Sequence, residues 1–184
     1  MQEQLTPDFG DYELLDTGDF EKLERFGRYV TRRPEPQAIW RRSLAEEEWR
    51  RTADASFRRD ARSDERGEWR LAPGMPDRWV VEYAYKRMRL RMRLGLTSFK
   101  HVGIFPEQAA NWNFIYDNCR ALAGDGPTDG ERVAAVGSGV ARGGVPKVLN
   151  LFAYTGGATL AAPAAGAEVT PVDSVRQAVT WSLV

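Results

Sequence analysis

Residues 147–162 read KVLNLFAYTGGATLAA, and their order decides the fold. Lys147 to Tyr154 is a short, nearly continuous apolar run, the pattern of a parallel strand covered on both faces. Thr155, Gly156 and Gly157 then let the backbone turn sharply, and the small residues ATLAA allow a helix to pack close. Downstream, GAEVTPVDSV (residues 166–175) reads as a second short strand ending on Asp173, seventeen residues beyond Gly156. Strand, glycine turn, helix, strand and acid together predict the first βαβ unit of a nucleotide-binding α/β sheet, with the carboxylate placed to accept hydrogen bonds from ribose hydroxyls. Two prolines constrain it. Pro163 falls inside the helix, at a cost of roughly 3 kcal/mol, and Pro171 suits only an edge strand.

Working back from that unit, GDGPTDGERVAAVGSGVARGGVP (residues 124–146) is glycine-rich and reads as an insertion over about 123–146. Gly137, Gly139 and Gly143 imitate a dinucleotide fingerprint there, but no helix can follow through Gly143, Gly144 and Pro146. Before it, FPEQAANWNFIYDNCRALAG (105–124) predicts a helix with Pro106 in its first turn and Glu107 complementing the dipole. Trp112, Ile115, Tyr116, Cys119 and Leu122 share one face, which makes Cys119 a core residue and not a nucleophile.

WVVEYAYKRMRLRMRLGL (79–96) alternates strictly, yet its apolar phase flips from odd positions (Trp79, Val81, Tyr83, Tyr85) to even ones (Met88, Leu90, Met92, Leu94). Side chains in one regular strand cannot change faces, so the flip predicts a bulge or a tight turn near Lys86–Arg87, of which a hairpin is the favoured reading. Its second strand would display Arg87, Arg89, Arg91 and Arg93 on one face, as a wet sheet surface or as contacts to RNA backbone. Earlier, SLAEEEWRRTADASFRR (43–59) predicts a helix capped by Ser43, with Glu46 completing a capping box and Trp49, Ala53 and Phe57 recurring at helical spacing. Residues 1–105 thus read as a β-rich α+β domain and residues 106–184 as the start of a Rossmann-like domain.

Cys119 and His101 are the only cysteine and histidine, which excludes an intrachain disulfide and leaves any zinc site short of ligands. The polar, acidic N-terminus shows no signal peptide, and no run approaches the roughly 20 apolar residues of a membrane span. The expectation is a soluble cytoplasmic protein without membrane partners. Net charge is zero, but residues 41–100 carry sixteen basic and ten acidic side chains, a mild pointer to an anionic partner such as RNA.

Three segments taken together carry a family resemblance: RLGLTSFKHVGIFPEQAANW (93–112), VLNLFAYTGGATLAA (148–162) and VDSVRQAVTW (172–181). They resemble the class I S-adenosylmethionine-dependent methyltransferases of the ribosomal RNA large-subunit methyltransferase I type. The resemblance covers most of residues 10–181 outside the insertion. It implies methylation of a ribosomal RNA base. It also implies that Asn150, Phe152, Ala153, Tyr154, Thr155 and Gly156 line the methionine end of the cofactor, that Asp173 holds the ribose with Ser174 beside it, and that Phe105 and Gln108 lie near. No catalytic residue is assigned. Against the family pattern the chain stops inside the helix after the second strand, before the catalytic DPP motif. The corresponding expectation is a front part of a methyltransferase with little or no activity, whose open strand flank invites self-association or a complementing chain. Two rival readings remain: a non-catalytic RNA-binding fragment, and an NAD-dependent oxidoreductase built on the same βαβ unit.

Overall fold

The computed structural model describes residues 7–63, 66–124 and 144–176. The chain divides into two units. One comprises Phe9–Tyr83 with Arg91–Ile104; the other comprises residues 7–8, Ala84–Leu90 and the described residues from Phe105 onward. The architecture is α/β, a β-rich α+β unit followed by a Rossmann-like βαβ unit.

The first unit is built on a five-stranded sheet in sequential order: β1 (Tyr12–Gly18), β2 (Glu21–Phe26), β3 (Tyr29–Pro34), β4 (Ala55–Arg59) and β5 (Gly67–Leu71). All neighbours pair antiparallel except β3 and β4. That parallel pair requires a crossover, and α1 (Glu46–Thr52) supplies it. Trp49 is the buried residue of α1 and joins Leu23 and Val30 in the core. The guanidinium groups of Arg42 and Arg32 lie 4.7 and 5.4 Å from its ring.

The helix departs from the expected one at both ends. It begins at Glu46 with Ala45 as an N-cap lacking any side-chain bond, and Phe57 lies on β4 instead of a helical face. At the C-terminal end the pairing of β4 with β5 claims Phe57, and at the N-terminal end the reason is Asp16. A bulge between Leu14 and Asp16 lets neighbouring side chains turn inward: Leu15 packs on the core, and Asp16 accepts from the Ser43 and Leu44 amides (3.2 and 2.9 Å) and the Trp49 indole (2.8 Å). Ser43 therefore needs no capping box. Burial works to raise the Asp16 pKa, but bonds from Leu44, Trp49, Ser43 and Thr17 outweigh it and hold the carboxyl below its ordinary value. A second buried acid, Glu24, is clamped by Arg33 through bonds of 2.6 and 3.1 Å.

The phase flip is a hairpin, as its alternation predicts: β6 (Arg78–Tyr85) and β7 (Met88–Gly95) form a two-stranded sheet around a turn at Lys86–Arg87. Trp79, Val81, Tyr83, Met88, Leu90, Met92 and Leu94 are all buried, so both apolar phases serve core. Arg87 lies in the turn itself and not on β7, because two residues are needed to reverse the chain.

In the second unit, a 3₁₀ turn at Pro106–Gln108 leads into α2 (Ala109–Leu122), whose buried residues include Trp112, Tyr116 and Cys119. β8 (Lys147–Leu151) and β9 (Glu168–Val172) pair in parallel across α3 (Gly157–Ala164). Pro163 is inside α3 and Pro171 on β9, which among the described residues pairs with β8 alone. β8 departs from the doubly covered strand its run of apolar residues predicts: Leu149 and Leu151 are 62% and 56% exposed. Asn150, between them, points to the other face, where its Nδ2 donates to Thr159 Oγ1 of α3 (2.8 Å). The glycine pattern at 137–143 lies outside the described residues, as does most of the insertion.

Candidate functional site

The turn from β8 into α3 runs Phe152-Ala153-Tyr154-Thr155-Gly156. Phe152 (φ +61°) and Tyr154 (φ +50°) both adopt the left-handed region, at a cost of about 1–2 kcal/mol each, and Gly156 follows at φ +98° without that penalty. Conformations of this kind persist only where surrounding bonds over-determine them, and here they do. The Ala153 amide donates to Val172 O (3.0 Å), the Tyr154 amide to Asp173 Oδ2 (2.8 Å) and the Gly156 amide to Ala153 O (3.0 Å).

Asp173 is the fastener. Its other oxygen, Oδ1, accepts the Val175 amide at 2.8 Å. These two backbone donors, Val175 and then Tyr154, hold the carboxyl below its usual range. Each oxygen accepts one bond here and has a further lone pair, so the acid can hold the turn and still receive ligand hydroxyls.

The predicted residues gather unevenly. Phe105 comes to the turn, its ring 4.9 Å from that of Tyr154. Thr155 and Gly156 lie in it, and Ser174 is exposed beside Asp173. Ala153 is buried, so it contributes backbone. Phe152 is 87% exposed. Asn150 turns its amide to Thr159 and braces α3. Gln108 is exposed and accepts from Asn111 Nδ2 within its own helical stretch (2.8 Å).

Two supports escaped the sequence reading. Gly157, the first residue of α3, lies so close to Trp112 of α2 that a methyl group there would come within 2.8 Å of ring carbons Cε2 and Cζ2. Asp117 of α2 receives the Tyr85 hydroxyl (2.7 Å) and Lys86 Nζ (2.6 Å), fixing the hairpin turn to that helix. The small residue and the acid on the helix were the available signals.

The hairpin arginines are exposed but not equivalent. Arg89 folds back on the carbonyls of Lys86 and Met88, and Arg91 pairs with Glu82 at 3.1 Å. Arg87 and Arg93 have no ion-pair partner among the described residues. Also among the described residues, no cluster of three or more His, Cys, Asp or Glu side chains could hold a metal, and no helix is long and apolar enough to cross a membrane. Cys119 is buried, and burial pushes its thiol pKa up.

Neither a family model nor a curated protein matches the chain. Solved structures do. An S-adenosylmethionine-dependent methyltransferase from Agrobacterium tumefaciens matches 96% of this chain at 35% identity and a TM-score of 0.74. A candidate methyltransferase of the same kind from Streptococcus mutans matches 96% at 16% identity and a TM-score of 0.58, a likeness of fold alone. The chain spans 48% and 42% of their respective lengths, about half. The chain thus has the fold of the corresponding part of these methyltransferases.

Proposed function

We propose that the turn after β8 binds S-adenosylmethionine and that the protein transfers a methyl group to a base of ribosomal RNA. The observation that carries the cofactor reading is Asp173: a carboxylate at the end of β9, bonded to the Tyr154 amide across a left-handed turn, with acceptor capacity to spare. The name of the 35% identical neighbour supports the same cofactor.

The residues present suit this group. Asp173 would accept the ribose hydroxyls, and the Phe152–Gly156 backbone would border the methionine end. A sulfonium donor needs no pyrophosphate cradle, so a turn with few glycines is sufficient. The bound cofactor supplies an activated methyl group; the chain supplies position and a dry boundary. RNA as substrate rests on the resemblance of residues 93–112, 148–162 and 172–181, and on the exposed arginines of the hairpin.

Calorimetric titration with S-adenosylmethionine, with NAD as control, tests the cofactor. Binding should be lost in Asp173→Ala and kept in Arg70→Ala, a change at an exposed residue of β5 in the first unit. Circular dichroism of both variants separates loss of a ligand contact from loss of fold. Tight binding of NAD in place of S-adenosylmethionine would overturn the proposal. Transfer of labelled methyl groups to ribosomal RNA tests the substrate.

A further inference from the structure

The β1–β2 turn presents exposed aromatic groups that neither the core nor the cofactor turn uses. Asp19 and Phe20 both adopt left-handed backbone (φ +49° and +64°), the conformation of a hairpin turn that Asn and Gly usually fill. Phe20 is nevertheless a phenylalanine, 58% exposed. The segment after β3 docks against it: the Asp19 amide donates to Trp40 O (2.7 Å), the Phe20 amide to Ala38 O (2.8 Å) and the Glu35 amide to Phe20 O (2.8 Å). Ile39 and Trp40 leave this segment 76% and 53% exposed. The Trp40 ring is fixed all the same, since its Nε1 donates to Thr17 O at 2.8 Å. The Trp40 indole is thus an exposed ring held in place, and Phe20 and Ile39 are exposed side chains on backbone that is held.

The carboxylates of these two segments are each paired. Asp19 is paired with Arg42 at 3.1 Å and Glu35 with Lys22 at 3.0 Å. Arg41, next to Trp40, is exposed and has no ion-pair partner among the described residues. Held aromatic rings beside an uncompensated guanidinium are the means by which proteins take unstacked bases and the adjoining phosphate. A stable protein interface requires some 800 Å² per partner; three apolar side chains are too few for that, but enough for one or two bases.

We infer that Phe20, Ile39, Trp40 and Arg41 form a stacking site for single-stranded RNA, separate from the hairpin arginines. It lies wholly within the first unit and does not depend on cofactor binding; it shares with the proposed function only the expectation of a nucleic-acid partner.

The test is fluorescence anisotropy of a labelled twelve-nucleotide oligouridylate titrated with the whole chain, no cofactor present. Phe20→Asn is the decisive variant, because Asn accepts the left-handed backbone and the fold is kept while the ring is removed. It should weaken binding about tenfold, as should Trp40→Ala. Arg41→Gln should reduce the slope of log K against log salt by about 0.7. A blunt duplex of equal length, whose bases are already stacked, should bind more weakly. The inference is overturned by absence of oligouridylate binding, by Phe20→Asn binding within twofold of the parent, or by equal affinity for the duplex. Loss of binding on replacing Arg89, Arg91 and Arg93, with Phe20→Asn unaffected, would also overturn it while leaving RNA recognition by the hairpin intact. Failure of the cofactor titration would not bear on these results.

Discussion

Gly157→Ala probes the packing that sets the start of α3. The added methyl would meet Trp112 Cε2 and Cζ2 at 2.8 Å and Nε1 at 2.9 Å, all of them ring atoms of a residue only 3% exposed, so the indole has little freedom to yield. Overpacking of this kind costs about 1–3 kcal/mol. Against it stands the usual gain of about 0.4–1 kcal/mol when alanine replaces a glycine whose backbone it tolerates, and Gly157 is not among the left-handed residues. The net expectation is a loss of about 1–2 kcal/mol. With a urea m-value of about 1–2 kcal/mol/M, the transition reported by helical circular dichroism should move down by about 1 M with its slope unchanged. The contact itself is isolated by a cycle with Trp112→Ala, which is itself costly, at about 3–5 kcal/mol. In that background Gly157→Ala should be neutral or stabilising, giving a coupling of about 1–3 kcal/mol. Additive effects, or a Gly157→Ala protein as stable as its parent, would refute the close approach of α3 to α2.

Asp16→Ala strands the Ser43, Leu44 and Trp49 donors and should cost at least about 3 kcal/mol at neutral pH. Because the folded-state pKa of Asp16 is lowered, its stabilisation is present above pH 3.8 and is lost as pH falls through the lowered value, so parent and variant should converge in acid denaturation. Glu24→Gln leaves Arg33 buried without its carboxylate and should cost about 3–5 kcal/mol, whereas Glu24→Leu with Arg33→Met should be close to neutral in urea melts. Cys119, buried and with its thiol pKa raised, should react with a disulfide reagent at least about tenfold more slowly in the native chain than in urea.

The features legible in the sequence were those written in local periodicity. The hairpin could be read because a one-residue phase flip allows only a bulge or a turn, and the βαβ unit because a glycine turn between an apolar strand and a helix of small residues has few alternatives. The start of α1 was not legible. The amides of Ser43 and Leu44, just ahead of it, are held by Asp16, 27 and 28 residues distant, and nothing local announces that. Phe57 continued the spacing of Trp49 and Ala53 by coincidence, since β4 pairing with β3 and β5 claims it first. At the site, the acid and the glycine were visible. The engagement of Asp173 with backbone amides was not, because backbone donors leave no trace in a sequence. Exposure of Leu149 and Leu151 was equally hidden in their apolar run, for burial depends on neighbours beyond the strand itself.

The left-handed residues carry the argument further than the glycine count does. Phe20, Phe152 and Tyr154 together cost about 3–6 kcal/mol in backbone strain, a large share of the roughly 5–15 kcal/mol that stabilises a domain. A plain βαβ turn or hairpin could avoid that cost with glycine or asparagine, and Gly156 shows that this chain uses glycine where only the turn matters. Strain at an aromatic residue is instead maintained by dedicated bonds, the Tyr154 amide to Asp173 in one unit and the Phe20 amide to Ala38 in the other. Both turns leave a phenylalanine ring in solvent, where it contributes nothing to a core. A ring that is held at a cost in stability and buries little surface points to something it meets outside the chain. On that reasoning Phe152→Gly should raise the melting temperature of the protein while weakening S-adenosylmethionine binding; a variant that gained stability and kept full affinity would show the strain to be incidental.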